Sequence, residues 1–210
     1  MKFLRKINLG LILTIIVVAA VAIYSVNVEL NRNKEKENIK KACEEFIDIT
    51  NKYAMLPEQK QDLNKKITEQ ELNDYINEIE KGLKEKMVDN DSAIEIQATI
   101  LESELLNQIA TENIATKFER EILKISSYSF DGDQVTVSFK DKVNKDVKYK
   151  TNNGYDELGN EIKKEESKNI SFGNEYETIT LQKVDNTWKV VYADIQYSDM
   201  TSSYGFEIMY

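Results

Sequence analysis

An uncharged segment from Ile7 to Val28 constrains this chain more than any other feature of its sequence. A helix rises about 1.5 Å per residue, so roughly 20 apolar residues cross the hydrocarbon core of a bilayer, and this segment has that length. Lys2, Arg5 and Lys6 precede it, and basic flanks stay in the cytoplasm. We therefore predict a cytoplasmic basic tail over residues 1–6, a transmembrane helix over residues 7–28, and an extracytoplasmic location for the bulk of the chain.

A cleaved signal peptide is the alternative interpretation of the same segment. Ala20 and Ala22 fit the small-x-small pattern that signal peptidase recognises. The apolar character continues past that point from Ile23 to Val28, which favours an anchor over a cleaved peptide. Basic residues also follow the segment, from Arg32 onward, so the predicted orientation depends on the N-terminal flank.

The composition favours a binding role over chemistry. The chain has 210 residues, a net charge of −9, no histidine and one cysteine, Cys43. Histidine is the usual general base and the commonest metal ligand, and a single cysteine cannot form an intramolecular disulfide. An acidic domain repels phosphate backbones, so nucleic acid is not an expected partner. We predict a protein that is not an enzyme and has no cofactor or metal; its partners would be the lipid bilayer and other envelope proteins or further copies of itself.

Three helical segments are predicted before any strand. Apolar residues recur every three or four positions over residues 29–57, which indicates an amphipathic stalk or first helix. Thr68 and Glu71 form the capping box of a second helix, and Ser92 and Glu95 form that of a third. The helical spacing of the apolar residues of the third helix drifts at residues 111–113. The predicted buried face of the third helix comprises Ile94, Ala98, Leu101, Leu105, Ile109, Phe118 and Ile122.

The hydrophobic period changes from helical to two after about Leu123, which indicates β-strands. A hairpin is predicted around the turn at residues 131–133. Both faces of the last strand are apolar, so we expect that strand to be central or covered on both sides. Further strands are predicted from Val147, over 162–172, over 176–184 and over 187–192, with turns at 155–160, 173–174 and 185–186.

Helices followed by an antiparallel meander are typical of an α+β domain. We therefore predict an extracytoplasmic domain over residues 58–197, in which about three helices pack on a curved antiparallel meander sheet of roughly five to six strands.

The segment from Thr178 to Val191 resembles the final hairpin of nuclear transport factor 2-like (cystatin-like) domains. In that group a strand ends in a polar turn followed by Trp-Lys-Val, and here the turn is residues 185–186 and the tripeptide is residues 188–190. Among membrane-anchored members, the inner-membrane scaffold subunit of type IV secretion and conjugation systems has a short basic tail, one span and a curved-sheet domain. The resemblance implies a structural subunit of a bacterial envelope assembly that recruits other proteins.

The same resemblance draws attention to a pocket, because enzymatic members carry an Asp or His base inside the cone of the sheet. Trp188 and Tyr192 are the expected lining of such a pocket, and Asp194 is the carboxylate that would act as a base there. An exposed position at the end of the strand is the alternative for Asp194. A pocket without a reaction would make the domain an extracytoplasmic sensor of a small ligand.

The C-terminal tail, residues 198–210, has apolar residues that alternate with a period of two. Chain ends with this much apolar character are usually covered. One interpretation is a last strand of the same sheet; the other is a segment that adds to the sheet edge of a partner or docks a membrane protein. The candidate partner-binding residues are Tyr204, Phe206, Ile208 and Tyr210.

Overall fold

The computed structural model describes residues 9–197, without the side chains of residues 9–13, 25 and 27–32. The predicted cytoplasmic tail and the predicted C-terminal tail with its four candidate residues lie outside this range. The chain divides at residue 40 into two compact units. The helices are α1 (Leu9–Tyr53), α2 (Glu69–Lys86) and α3 (Asp91–Ala110), with a 3₁₀ turn at Glu58–Lys60, and the strands are β1 (Asn113–Asp131), β2 (Gln134–Tyr155), β3 (Glu161–Val184) and β4 (Thr187–Asp194).

The strands form one antiparallel sheet in the order β1-β2-β3-β4. The α+β class and the meander are therefore confirmed, but the number of strands is wrong, because the described part of the chain forms four instead of five to six. Two predicted interruptions do not occur. The strand predicted to begin at Val147 is the second half of β2, and the strands predicted over 162–172 and 176–184 are both part of β3.

A register shift explains why β3 continues through Gly173 and Asn174. From Phe139 to Asp141, β2 advances two residues while the paired residues of β3 advance three, from Glu177 to Asn174. The extra residue is a β-bulge, which bends a strand without ending it. A Cβ atom at Gly173 would lie 3.1 Å from the Asp141 carbonyl oxygen, so glycine permits this close approach.

The last strand, β4, lies at the edge of the sheet. Among the described residues it pairs with β3 and makes one further bridge, between Val190 and Met87. The prediction of a central or doubly covered strand is therefore wrong.

A bulge explains why β4 is apolar on both faces. Val190 and Tyr192 pair with consecutive residues of β3, so Val191 between them is an extra residue. The inward-facing positions shift by one at that point. Val190 is buried before the bulge, and Ala193 and Ile195 are buried after it.

The first strand, β1, begins where the third helix was predicted to continue. The helix α3 ends at Ala110, and Phe118 and Ile122 lie in β1, so this part of the helix prediction is wrong. The pairing of β1 with β2 contains three register shifts. Each shift adds one residue to the alternation, so apolar residues recur at intervals longer than two and imitate the spacing of a helix.

The N-termini of the two shorter helices follow ordinary capping chemistry. The capping box of Thr68 and Glu71 is confirmed at the start of α2. The predicted box at Ser92 is wrong, because the N-cap of α3 is Asn90, two residues earlier, and Asn90 Oδ1 accepts a hydrogen bond from Ala93 N at 3.2 Å. Both arrangements satisfy main-chain donors that the helix itself leaves free.

Two glutamines fix α3 to its surroundings. Gln97 Nε2 donates to the Ala193 carbonyl oxygen at 2.8 Å, and Gln108 Nε2 donates to the Ala54 carbonyl oxygen at 2.9 Å. Gln108 also accepts from Ala115 N at 3.0 Å, so it ties the helix to the start of β1. The apolar core lies on this inward face of the sheet and includes Phe46, Leu83, Leu101, Leu105, Val135, Val137, Phe139, Ile179, Leu181 and Val190.

The helix α1 runs without interruption from Leu9 to Tyr53, so it includes the described part of residues 7–28 and most of residues 29–57. Among the described residues, no helix meets the combined length and hydrophobicity required to cross a bilayer.

Candidate functional site

The structure separates the three predicted pocket residues of β4. Trp188 pairs with Lys183 on the inward face, whereas Tyr192 and Asp194 pair with Thr180 and Thr178 on the outward face. Tyr192 is 45% exposed, and Asp194 is also exposed. Trp188 therefore does not share a pocket with the other two residues.

Trp188 lines a small cleft of its own at the inward face. The cleft has a volume of about 310 Å³ and includes Glu45, Lys86 and Lys189. Lys86 Nζ lies 2.6 Å from Glu45 Oε2, so an ion pair occupies part of its wall.

Three buried charged side chains that the sequence analysis did not select lie on the inward face of the sheet. They are Arg120 in β1, Asp141 in β2 and Glu177 in β3, and they are 4%, 1% and 2% exposed. Charged groups are rarely buried to this extent unless they are paired. Arg120 Nε lies 2.9 Å from Asp141 Oδ2. We call these three residues the buried charge cluster.

The second oxygen of Asp141 connects the cluster to the bulge in β3. Asp141 Oδ1 accepts from Asn174 N at 3.1 Å and from Asn174 Nδ2 at 3.0 Å. These bonds satisfy polar groups at the point where the regular pairing of β2 with β3 is interrupted.

The cluster also holds the main chain immediately after β4. Both carboxylate oxygens of Glu177 accept from Gln196 N, at 3.3 and 3.2 Å, and Arg120 Nη2 donates to the Gln196 carbonyl oxygen. The neighbouring Ile195 and Tyr197 are each 6% exposed. The segment that leads from β4 to residue 198 is therefore fixed to the interior of the domain by side chains from β1 and β3.

Tyr197 packs against the same arginine. The Arg120 guanidinium carbon lies 4.9 Å from the centre of the Tyr197 ring, and the ring centres of Tyr197 and Phe118 are 6.0 Å apart. A cation above an aromatic face is favourable when both are removed from water. Burial raises the pKa of Tyr197 to about 12, against the opposing effect of the nearby Arg120 cation.

The electrostatics of the cluster are governed by burial. Burial raises the pKa of Glu177 to about 7, and this effect exceeds the opposing influence of Arg120; repulsion from Asp141 adds to it. Burial also raises the pKa of Asp141, against the attraction of Arg120 and the hydrogen bonds from Asn174. One cation thus faces two carboxyl groups, and burial disfavours the charged form of both.

Three atoms of the buried charge cluster have no hydrogen-bond partner within residues 9–197: Arg120 Nε and Nη1, and Asp141 Oδ2. The short contact between Arg120 and Asp141 is therefore an ion pair whose N–H bond is not directed at the carboxylate oxygen. Unsatisfied buried groups are unfavourable, so these atoms reduce the stability that the cluster contributes.

Part of this cluster had a signal in the sequence. Asp141 continues the alternation of Val137 and Phe139, and Glu177 is in phase with Ile179, so each is a charged residue at an inward position. Arg120 had no such signal, because it falls in the segment that imitates a helix.

A second concave site lies beside the loop that joins α1 to α2. It has a volume of about 510 Å³. Ile67, Ile109 and Ile114 line it, and Lys66 and Lys150 contribute basic groups to it. Lys150 Nζ donates to the Leu63 carbonyl oxygen at 2.7 Å, which fixes one of these cations in the cleft.

Metal chemistry has no candidate within the described range: residues 9–197 contain no group of three or more Cys, Asp or Glu side chains arranged to bind an ion. Comparisons of the chain with protein-family models, with curated proteins and with solved structures found no match.

Proposed function

We propose that this protein is a membrane-anchored extracytoplasmic scaffold of a bacterial envelope assembly, which binds other envelope proteins, or further copies of itself, through its C-terminal tail. Residues 7–28 would form the anchor, and Tyr204, Phe206, Ile208 and Tyr210 would contact the partner. The resemblance to nuclear transport factor 2-like domains supports a conjugation or secretion channel as the setting.

The observation that carries this proposal is the attachment of the chain just before the tail. Both main-chain polar groups of Gln196 are bound by the buried charge cluster, and Ile195 and Tyr197 are buried on either side. The chain is therefore held in place up to Tyr197, immediately before the proposed tail. A segment with a fixed origin loses less conformational freedom on binding than one that begins in a loose loop, which favours a role in recognition.

The anchor is supported by residues 14–26 as well as by the uncharged sequence. Their described aliphatic side chains are more than half exposed, which is unfavourable in water and favourable in lipid. These side chains are Ile15, Ile16, Val17, Val18, Val21, Ile23 and Val26.

The proposal is tested by affinity purification of the full-length tagged protein from native membranes in mild detergent. A variant that ends at Tyr197 is compared with a variant in which Tyr204, Phe206, Ile208 and Tyr210 are all replaced by serine. We expect specific envelope proteins to accompany the intact chain and to be lost from both variants, while circular dichroism and thermal unfolding of the domain stay unchanged.

Two controls separate the tail from the anchor. Replacement of Ser202 and Ser203 by alanine alters the tail but keeps its apolar residues, so partner recovery should be unchanged. A chain that lacks residues 1–28 should leave the membrane fraction on alkaline extraction. Equal partner recovery by the intact and serine-substituted chains would refute the role of the tail.

A second candidate function is the binding of a small ligand outside the cell. The observation that favours it is the cleft beside the α1–α2 loop. Its lining includes three isoleucines and four lysines, Lys60, Lys65, Lys66 and Lys150, which outnumber the carboxylates of Asp62 and Glu112. Such a cleft suits a compact anion with an apolar body. A screen of aliphatic carboxylates by thermal unfolding tests it, with Lys66→Gln and Lys150→Gln as matched variants. A ligand that stabilises the unmodified chain but neither variant would favour a sensor.

A further inference from the structure

The strand β3 is paired on both sides near its C-terminal end and has an open edge before that point. It pairs with β2 from Glu161 to Gln182, whereas β4 pairs only with Thr178–Val184. Within residues 9–197, β3 therefore has a neighbouring strand on one side only over residues 161–177. Every second residue of such a strand directs its N–H and C=O groups away from the sheet, where a further strand can bind them.

The chain after β4 does not continue along this edge. The pairing of β4 with β3 ends at Asp194. Beyond it, both main-chain polar groups of Gln196 bind side chains of the inward face, Glu177 and Arg120, and Tyr197 packs on the same arginine. The chain therefore leaves the line of β4 and turns over the inward face, and up to Tyr197 it leaves the open edge unoccupied.

Most of the open edge is protected by charge. Charged side chains on an edge strand prevent the uncontrolled addition of other strands. Residues 169–174 differ, because their sequence Asn-Ile-Ser-Phe-Gly-Asn contains no charged residue. We call this interval the edge window. The charged residues on either side of it are Glu161, Lys163, Lys164, Glu165, Glu166, Lys168, Glu175 and Glu177.

Two apolar side chains of the edge window are incompletely covered. Phe172 pairs with Val143, which is fully buried, and residues that pair across strands share a face. Phe172 is therefore at an inward position, and so is Ile170, two residues away on the same strand. Both side chains are nevertheless only partly buried. A strand beside them with apolar residues at a period of two would cover them.

The C-terminal tail has a sequence that matches this requirement. Its charged residues are Asp199 and Glu207, and its apolar residues alternate from Tyr204 to Tyr210. In an extended conformation the alternating residues lie on one face and Glu207 lies on the other, so the apolar face can pack without burying a charge. Because the chain turns inward before it reaches the edge window, the tail of a second copy is favoured over the tail of the same copy.

We propose that the edge window binds the C-terminal tail of a second copy of the chain, which adds as a strand beside β3. The main chain of the tail would pair with the free N–H and C=O groups of the window, and its apolar face would cover Ile170 and Phe172. This assignment rests on the role proposed above for the tail, and it specifies both the partner, a further copy, and the surface that receives the tail.

The experiment uses two full-length copies that carry different N-terminal tags and are co-expressed and solubilised in mild detergent. An edge variant with Ile170→Glu has a charge in the window and an intact tail; a tail variant ends at Tyr197 and has an intact window. We expect recovery of the second tag to fall about tenfold or more when both copies are the edge variant, or both the tail variant. The mixed pair should associate, because one tail and one window remain between the two copies.

Ile162→Glu is the matched control, because Ile162 lies on the same strand outside the window and is 44% exposed. Copies with this substitution should associate like the unmodified chain. Circular dichroism and thermal unfolding show whether each variant is folded. If Ile170→Glu unfolds the domain, Ser171→Lys replaces it, since Ser171 is an exposed residue of the window.

The proposal is overturned if the mixed pair does not associate, or if two copies of the edge variant associate like the unmodified chain. In the latter case, loss of association by the tail variant would show that the tail binds a different surface, and the function proposed above would stand. The proposal is also overturned if unmodified copies do not associate at all. Recovery of other envelope proteins with the intact tail would then decide the proposed function separately.

Discussion

The side-chain amide of Asn51 pairs with both main-chain polar groups of Arg120. Asn51 Nδ2 donates to the Arg120 carbonyl oxygen at 3.2 Å, and Asn51 Oδ1 accepts from Arg120 N at 3.1 Å. The end of α1 thereby takes the place of a neighbouring strand at this position of β1. The contact positions Arg120, whose guanidinium group in turn holds Gln196. A line of polar contacts therefore connects α1, β1 and the main chain of Gln196.

Substitution of Asn51 should lower the stability of the domain. We expect Asn51→Ala to lower the free energy of unfolding by about 1–3 kcal/mol, because a main-chain donor and acceptor of Arg120 lose their partners. Urea denaturation measures the change. Asn64→Ala is the control: it removes one exposed hydrogen bond, to Glu165, and should change stability by less than about 0.5 kcal/mol. Equal changes in stability for the two substitutions would show that the hydrogen bonds of Asn51 contribute no more than hydrogen bonds to water.

Removal of the buried cation should be more damaging. Arg120→Met keeps a long apolar side chain but leaves Asp141 without its ion-pair partner, and loss of one member of a buried pair costs about 3–5 kcal/mol. Lys117→Met is the comparison, because it breaks only an exposed ion pair with Glu119 and should change the free energy of unfolding far less.

A combined variant separates the cost of an unpaired charge from the cost of altered packing. We expect Arg120→Met together with Asp141→Asn and Glu177→Gln to recover most of the stability lost in Arg120→Met, because no buried charge then remains without a partner. If the combined variant unfolds as easily as Arg120→Met, the guanidinium stabilises the domain through its packing on Tyr197 and its bond to Gln196.

Gly82 marks a close contact between α2 and α1. A Cβ atom at this position would lie 2.4 Å from Tyr53 Oη and 2.5 Å from a carbon of the same ring. Tyr53 is 4% exposed, so its ring has little room to move. We expect Gly82→Ala to destabilise the domain by about 1–3 kcal/mol, although alanine favours a helix more than glycine does. In the double variant Gly82→Ala with Tyr53→Ala the clash is absent, so Gly82→Ala should then cost less. Thermal unfolding of the four proteins measures this coupling; additive effects would argue against a steric clash.

The class of fold was predictable from local patterns. The capping box at Thr68, the turn before Val135 and the turn before Thr187 are each coded by a few adjacent residues, and their structures agree with the predictions. The turn at Asp185 and Asn186 uses positive φ angles of 48° and 64°, which Asp and Asn tolerate better than other side chains.

The strand boundaries were not predictable, because bulges change the period. In β1 the extra residues gave Phe118 and Ile122 a helical spacing, and in β4 the bulge at Val191 placed apolar residues on both apparent faces. A rule based on a period of two or of 3.6 cannot detect a shift in phase that depends on the partner strand.

The candidate site was predictable only in part. Tyr192 and Asp194 were selected as the lining of a pocket, and the structure places them together, but on the outward face. The buried charge cluster was missed because Arg120, Asp141 and Glu177 are far apart in sequence and meet only when three strands pair. The bonds to Gln196 depend on tertiary structure in the same way.

The buried charge cluster should make stability depend on pH through Glu177. Burial raises the pKa of this carboxyl group to about 7 in the folded chain, from an ordinary value of 4.5. The folded state therefore holds more protons than the unfolded state between these two values, so the free energy of unfolding falls as pH rises from about 4.5 to 7. Asp141, whose pKa is also raised by burial, contributes a change of the same sign.

Glu177→Gln isolates the effect of this one group, because glutamine has the same shape, retains an acceptor for Gln196 N and does not titrate. We expect the unmodified chain to lose stability relative to this variant by on the order of 2–3 kcal/mol between pH 5 and pH 8, as measured by urea denaturation at each pH. Glu175→Gln, at an exposed position beside Lys140, is the control and should parallel the unmodified chain. Parallel curves for Glu177→Gln would mean that Glu177 titrates normally. The attachment of Gln196 to the interior of the domain would then be the same in acidic and in neutral surroundings.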